Sequence, residues 1–282
     1  MPGTLAVVVV NYNAGDYLAR CIGSIYRSAS DLELDVVVID NASRDGSTDR
    51  AKIAYPTVRV LENPVNRGFA AAANQGIRAT TAPYIFLLNP DAEITGGMLG
   101  AFVKLADDRP RAGAVGPLVR NPDGSVQPSA RKVPGILESL VHAFVGPAWP
   151  NNPFTRSYTL SDWDRTTERE VEWLSGSAVL LRRAAVEEIG LYDEGFFMYV
   201  EDVDLCTRLR AAGWQVVFSP ELEVTHVIGV SARGQTRRMA REHSRSIYRY
   251  FAKHARGPEA LLRPFVRLAL WFRALLAARE KR

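Results

Sequence analysis

The sequence predicts an α/β fold, a sheet covered by helices on both faces with a C-terminal helical tail. Three observations carry the prediction. Short apolar, mostly β-branched runs alternate with helical stretches through residues 5–88, and each run ends in a polar tip. Charge is also divided unevenly. Residues 1–225 hold 21 Lys+Arg against 28 Asp+Glu and residues 226–282 hold 14 against 3, so a net charge of +4 hides an acidic body with a basic tail. Such asymmetry points the tail toward something anionic.

Composition narrows the classes. A chain of 282 residues, 47% hydrophobic and 23% charged, suffices for one large domain and excludes a disordered, collagenous or fibrous protein. Cys21 and Cys206 are too few to staple it, which argues against a disulfide scaffold or a cysteine-based zinc site. Met-Pro-Gly-Thr runs into Leu5–Val10 without a basic leader, and no uncharged apolar run approaches the roughly 20 residues of a bilayer span. A cytoplasmic, reducing environment is expected.

The first half sets the architecture. Leu5–Val10, Asp35–Ile39, Val58–Leu61 and Tyr84–Leu88 read as parallel strands buried on both faces. Helices are expected near Gly15–Ser28, Ser47–Ala54 and Gly68–Thr80, giving right-handed strand–helix–strand units. Ligands of such sheets bind at the carboxyl ends of the strands. The tips there are Asn11-Tyr12-Asn13, Asp40-Asn41-Ala42-Ser43, Glu62-Asn63 and Asn89-Pro90-Asp91.

Residues 113–169, rich in Pro, Gly and Asn, are expected to include a short helix around Ile136–Val145 and then an irregular loop. Strands Val171–Leu174 and Ala178–Leu181 follow, then a helix Glu201–Ala212 ended by Gly213. Strands Gln215–Phe218 and Glu223–Val227 close the acidic body. The division is a domain over residues 1–232 and a basic helical extension over 233–282.

Four constellations carry chemistry. Asp91, beyond a buried strand and beside a rigid Pro, can hold a divalent cation through oxygen; alternatively it caps a helix starting near Ile94. In the helix from Glu201, the face of Leu205, Cys206 and Leu209 puts Asp202 at its centre, Glu201 at its edge and Asp204 on the far side. Desolvation of an inward Asp202 raises its pKa toward that of a base. His226 is a metal-ligand type, and Gly229, Ser231 and Arg233 follow it in a loop suited to a lid; structural histidines are commoner than ligands. In the tail, Arg237, Arg241, Arg245 and Arg249 form one stripe. Leu261, Phe265, Leu268, Phe272 and Leu275 form another, opposite Arg263, Arg267 and Lys281. That amphipathic stretch, carrying Trp271, suits a membrane interface, its own body or a second subunit. Its aromatic residues lie on the apolar stripe rather than interleaved for stacking bases, so nucleic acid is not expected.

Together the stretches VVVVNYNAGDYLARCIGSI, VVVIDNASRDGSTD, ENPVNRGFAAAANQGI, YIFLLNPDAEI, WLSGSAVLLRR, GLYDEGFFMYVEDVDLCTRLRAAGW and the His226–Ser231 turn resemble the family 2 glycosyltransferases, above all bacterial rhamnosyltransferase-like members acting on lipid-linked glycans. The resemblance implies the GT-A fold, a mixed sheet flanked by helices that binds nucleotide-diphospho-sugars. It implies that Asn11, Asn13 and Asp40 line the nucleotide pocket, and that Asn63, Arg67 and Gly68 hold nucleotide and sugar. Trp173, Gly176 and Ser177 flank sugar and acceptor, with Asn89, Glu201 and Arg233 also in the donor site. Asp91 matches the last acid of the family's Asp-X-Asp metal motif, His226 the histidine near metal and diphosphate, and Asp202 the catalytic base. Asn89 replaces the motif's first acid, so Mg²⁺ or Mn²⁺ is expected to arrive largely with the diphosphate.

The implied activity is inverting hexosyl transfer from dTDP-β-L-rhamnose to a glycan or polyprenyl-diphosphate-linked acceptor. This would take place peripherally on the inner face of the plasma membrane, the protein being monomeric or a homodimer. Two rivals are weaker. A nucleotide-dependent oxidoreductase needs a glycine fingerprint after the first strand, where this chain has Asn11-Tyr12-Asn13. A catalytically silent sugar-binding protein has no need of Asp91, Asp202 and His226.

Overall fold

The computed structural model describes residues 4–29, 32–133, 135, 145, 149, 151–227 and 236–279, the side chains of 236–237 and 272–279 excepted. Strands β1 (Thr4–Asn11), β2 (Glu33–Asp40), β3 (Arg59–Glu62) and β4 (Tyr84–Leu88) alternate with helices α1 (Tyr17–Arg27), α2 (Ser47–Ala54) and α3 (Phe69–Arg78). Then come β5 (Ala92–Gly96), α4 (Leu99–Asp108), β6 (Ala112–Arg120), β7 (Ala130–Arg131), α5 (Pro153–Thr159), β8 (Arg169–Glu170), β9 (Trp173–Leu174), β10 (Ala178–Arg182) and α6 (Arg183–Glu188). The chain continues through α7 (Glu201–Ala211), β11 (Gln215–His226), α8 (Thr236–His254), a 3₁₀ turn (Gly257–Leu262) and α9 (Arg263–Arg279).

The sheet is mixed. Its order is β3-β2-β1-β4-β10-β6-β11-β5, with β8 beside β11, and β7 and β9 form a separate ribbon. β1 runs parallel to β2 and β4, whereas β10 is antiparallel to both β4 and β6. Alternation along β1 explains its unbroken apolar run. Leu5, Val7 and Val9 meet Leu18, Ile22 and Phe102 on one face, while Ala6, Val8 and Val10 share the other with Ala73, Ile77, Leu205 and Leu209. Both cysteines are buried and free, as expected.

The structure corrects four expectations. No helix starts near Ile94: residues 92–96 are β5, whose Ala92 and Ile94 face inward and Glu93 and Thr95 outward. Strands Gln215–Phe218 and Glu223–Val227 are one strand, β11, whose register against β6 shifts between Phe218 and Glu223. The reading of Val171–Leu174 as a single strand splits into β8 and β9, which belong to different sheets. Asp204 does not face away from the core but has no exposed surface at all, because α8 covers that side of α7. The helix expected around Ile136–Val145 and the loop carrying Gly229, Ser231 and Arg233 lie outside the described residues.

The basic tail folds back on acids of the body. Asp204 receives Arg208 Nε at 2.7 Å, His254 Nε2 at 2.8 Å and Lys253 Nζ. Burial alone would raise its carboxyl, but the His254 and Lys253 hydrogen bonds and the Arg208 charge outweigh it and hold the pKa below the ordinary range. Arg249 and Lys253 clamp Asp193, at 2.7 and 2.8 Å. In α9, Arg263 bonds the Ala252 carbonyl and Arg267 lies over the Tyr248 ring, so both basic residues turn back to α8. The apolar stripe is left outward: Leu261 is 76% exposed, Phe265 70%, Leu268 53% and Trp271 56%. Among the described residues no helix is long and apolar enough to cross a membrane.

Candidate active site

The carboxyl ends of β1 and β2 lie level, with Asn11 opposite Asp40. The Asn11 amide is within reach of Asp40 Oδ1 at 3.0 Å and of Ser43, Ser47 and Thr48 hydroxyls at 2.9–3.1 Å. Two hydrogens serve four acceptors, so the contacts share them. Asp40 also accepts Thr48 Oγ1 at 2.7 Å and the Ser43 N–H at 3.1 Å. A carboxylate has about four lone-pair sites, so Asp40 keeps room for one more donor.

Asn13 adopts φ 51°, a left-handed conformation that asparagine tolerates, and its side chain accepts the Arg44 N–H at 2.7 Å. Asn41, which the sequence reading placed in a strand tip without giving it a role, organises the next loop. It bonds Asn63, Asn66, the Arg67 N–H and the Gly68 carbonyl. Gly68 has φ +86°, and a Cβ there would collide with the Phe197 carbonyl, so only glycine lets this loop touch the segment before α7.

Beyond β4, the tip Asn89-Pro90-Asp91 meets the end of β11. Asp91 Oδ1 lies 3.3 Å from His226 Nε2, both residues being at most 9% exposed. Asn89 Nδ2 stands 3.3 Å from the same nitrogen. Gln127 braces the far side of the ring, its Oε1 3.3 Å from Nδ1 and its amide donating to the His226 carbonyl at 2.9 Å. A proton on Nδ1 shared with Gln127 frees the Nε2 lone pair beside the carboxylate. One oxygen and one nitrogen donor, buried side by side, fit a divalent cation whose remaining ligands come from elsewhere. Among the described residues no group of three His, Cys, Asp or Glu side chains could hold a metal.

The third cluster adjoins the second. The Asn89 N–H donates to the Ser177 carbonyl at 2.8 Å, and the neighbouring Gly176 N–H donates to Asp202 Oδ2 at 3.0 Å. Asp202 and the Asp91–His226 pair are therefore joined through two adjacent strand ends, β4 and β10. Trp173 in β9 is buried beside them, three residues ahead of Gly176.

Two consecutive non-glycine residues with positive φ, Tyr199 at 69° and Val200 at 68°, lead into α7; such strain concentrates at functional sites. Burial raises the Asp202 pKa against the pull of the Gly176 and Val203 N–H groups. Glu201 is raised well above the ordinary value, first by burial and then by the Asp202 charge. Its Oε2 is buried without a hydrogen-bond partner. Of the two, burial pushes Glu201 up the harder, while the Gly176 and Val203 N–H groups favour charge on Asp202.

Comparison with known proteins identifies the family and the fold. The model of glycosyl transferase family 2 matches residues 6–190. The chain is 38% identical to the N-acetylglucosaminyl-diphospho-decaprenol L-rhamnosyltransferase of Mycobacterium tuberculosis, covering 99% of this chain and 94% of that protein. It is 25% identical to rhamnosyltransferase WbbL of Escherichia coli, over 88% of this chain and 92% of the relative. Among solved structures, the mannosyltransferase PcManGT from Pyrobaculum calidifontis in complex with GDP-Man and Mn²⁺ superposes with a TM-score of 0.60 at 20% identity, covering all of this chain and 76% of that one. GalNAc-T7 with UDP, GalNAc and Mn²⁺ gives 0.59 at 17% identity, over 95% of this chain and 54% of that one. The last two establish the GT-A fold.

Proposed function

This chain belongs to glycosyl transferase family 2 and is a hexosyltransferase, and from that premise we propose that it moves L-rhamnose from dTDP-β-L-rhamnose to a hydroxyl of a diphosphate-linked lipid glycan, with inversion. The observation that carries the chemistry is the half-buried Asp202, joined through Gly176, Ser177 and Asn89 to the Asp91–His226 pair.

In this reading the nucleotide lies along Asn11, Asn13 and Asp40, and Asn63, Arg67 and Gly68 carry it toward the sugar. Asp202 takes the proton from the acceptor hydroxyl as that oxygen attacks the anomeric carbon opposite the leaving diphosphate, turning a β-linked donor into an α-rhamnoside. Asp91 and His226 would hold Mg²⁺ or Mn²⁺, which supplies positive charge against the leaving diphosphate. Trp173, Gly176 and Ser177 flank sugar and acceptor, while neutral Glu201 keeps a second negative charge away from the base. Asn89 and Arg233 complete the donor side.

Residues 1–232 form the catalytic unit and 233–282 the basic extension. The outward stripe of α9 favours a membrane surface, with a second copy of the chain as the alternative partner. Removing residues 258–282 should lower binding to anionic liposomes while sparing turnover of a soluble acceptor; unchanged liposome binding would remove the membrane role.

A mass-spectrometric screen of nucleotide sugars with Mg²⁺ or Mn²⁺ and a short-chain prenyl-diphosphate-linked N-acetylglucosamine tests the donor. Consumption of dTDP-rhamnose with an α-linked product by NMR is expected. Preference for a UDP- or GDP-hexose would replace the donor, and failure to use any would end the reading.

A further inference from the structure

Beside the β7–β9 ribbon lies a cavity of about 520 Å³, bordered by Lys132, Arg156, Leu160, Trp163 and Arg169 among others. That is the size of a small-ligand site. None of the residues assigned above lines it.

Its charge is one-sided. Asp162 on the rim is held by Arg156. Lys132 reaches only the Ser157 hydroxyl at 3.3 Å, and Arg169 lies 5.2 Å over the Trp163 ring. Arg131, next to Lys132, bonds the Pro128 carbonyl and the Tyr158 hydroxyl and stacks 4.9 Å over Trp173. Arg165 is 8% exposed, holds the Trp163 and Thr159 carbonyls, and lies 5.3 Å from the Trp163 ring. Among the described residues none of Arg131, Lys132, Arg165 and Arg169 pairs with a carboxylate.

A buried guanidinium without a counter-ion is strongly unfavourable until an anion joins it. Burial, and then the Arg131 charge, pull the Arg165 pKa below its ordinary value. Two buried donors also lack partners, Arg165 Nε and the Nε1 of Trp163, a ring on the cavity wall. Orphan donors of this kind are uncommon in folded proteins. Arg165 is held at φ 59°, outside the usual range for its type.

The cluster stands on the path to the base. Arg131 pairs with Trp173 across the ribbon, the Ser175 N–H donates to the Ser129 carbonyl at 2.8 Å, and Gly176 bonds Asp202.

We propose that this cavity receives the diphosphate of the lipid-linked acceptor, with Lys132 and Arg169 meeting its oxygens and Arg165 and Arg131 behind them supplying fixed positive charge. The inference rests on the acceptor class proposed above. It separates the two diphosphates of the reaction: the donor's lies at Asp91 and His226, and the acceptor's lies across the ribbon. The acceptor's first sugar then spans from Trp163 toward Asp202 over Trp173.

Calorimetric titration of the full chain with inorganic pyrophosphate in EDTA tests the cavity without turnover. The Lys132→Ala/Arg169→Ala double variant, both positions lying at the surface of the cavity, should bind at least about tenfold more weakly with an unchanged melting midpoint. Lys132→Arg should retain binding. In turnover the double variant should raise KM for a prenyl-diphosphate-linked N-acetylglucosamine and reduce, by about the same factor, its advantage over an N-acetylglucosamine with a neutral alkyl aglycone. Equal pyrophosphate affinity in wild type and double variant overturns the proposal, as does a rise confined to the KM of the nucleotide sugar. If the wild type transfers to neither acceptor, the proposed function fails, and the titration still decides the cavity.

Discussion

On the β1–β2 side of the sheet edge, polar side chains are tied to one another before any ligand arrives. Asn11, Asp40, Ser43, Ser47 and Thr48 share one network, in which only Asn11 Oδ1 is buried without a partner, and Asn41 gathers Asn63, Asn66 and Arg67 into another. On the β9–α7 side the reverse holds. Glu201 Oε2, Trp163 Nε1 and Arg165 Nε are buried without partners, two acids have raised pKa values, and the backbone before α7 is strained. The proposed function accounts for the difference, because a nucleotide is one fixed shape for which a finished cradle can be built. A proton acceptor needs the opposite, a carboxylate kept uncomfortable and available.

The largest effect should come from breaking the second side at its centre. Asp202→Asn can keep the Gly176 N–H on its amide oxygen, giving up the Val203 contact, but removes the proposed base, and general-base loss lowers kcat by roughly 10²–10⁴-fold. Nucleotide affinity, set on the other side, should stay within a factor of about two. Steady-state kinetics beside nucleotide calorimetry separates the two, and turnover above a tenth of wild type would remove Asp202 from its role.

Next in size is Asp204→Asn. It leaves Arg208, Lys253 and His254 facing a neutral amide in a fully buried place, a loss of about 3–5 kcal/mol, read as a lower melting midpoint. Because the Asp204 pKa is held below 3.8, its contribution is present above that value and fades as pH falls through the folded pKa. The variant should therefore be less stable at pH 7 and show a flatter acid limb. An unchanged midpoint would mean that α8 is not fastened through this carboxylate.

Asp204 also marks the limit of what the sequence discloses. The spacing of Leu205, Cys206 and Leu209 found the face of α7 that meets the sheet, and nothing local could announce a second covering helix that begins thirty-two residues later. β1–β4 and α1–α3 were legible because β1 and β4 are buried on both faces, as is the second half of β2, while β3, half-exposed at the sheet edge, still kept a β-branched apolar run. β6 was not, since Pro117 and four glycines or alanines read as loop. The structure tolerates that proline where the β11 register breaks, between the Phe218–Gly116 and Glu223–Leu118 pairs. Likewise the strand tips exposed Asn11, Asp40, Asn41 and Asp91, whereas Gln127 and Arg131 act through partners remote in sequence.

A smaller effect is expected from Gln127→Ala, which frees His226 Nδ1 without touching Asp91. Loss of such a brace weakens metal affinity or activity by about 10–100-fold. It should appear as a higher Mn²⁺ requirement that added Mn²⁺ restores, whereas Asp91→Ala should resist that rescue. Equal behaviour of the two variants would make Gln127 a ligand rather than a brace.

The smallest effect bears most directly on the contrast between the two sides. Glu201 is 7% exposed and its folded pKa stands above 4.5, so the folded protein keeps a proton that the unfolded chain gives up as pH rises. Its stability contribution is complete below 4.5 and declines with rising pH up to the folded pKa, at about 1.4 kcal/mol per unit across that window. Glu201→Gln replaces the neutral acid by a neutral amide and deletes this slope. The variant should be more stable than wild type at pH 8 and indistinguishable from it near pH 4. It should also lower the apparent pKa of the acid limb of kcat/KM only slightly, since a neutral Glu201 contributes little repulsion to Asp202. A large downward move of that limb, or a variant weaker than wild type at pH 8, would mean that Glu201 is ionised in the folded protein, and the division of the pair into a neutral neighbour and a charged base would have to be reversed.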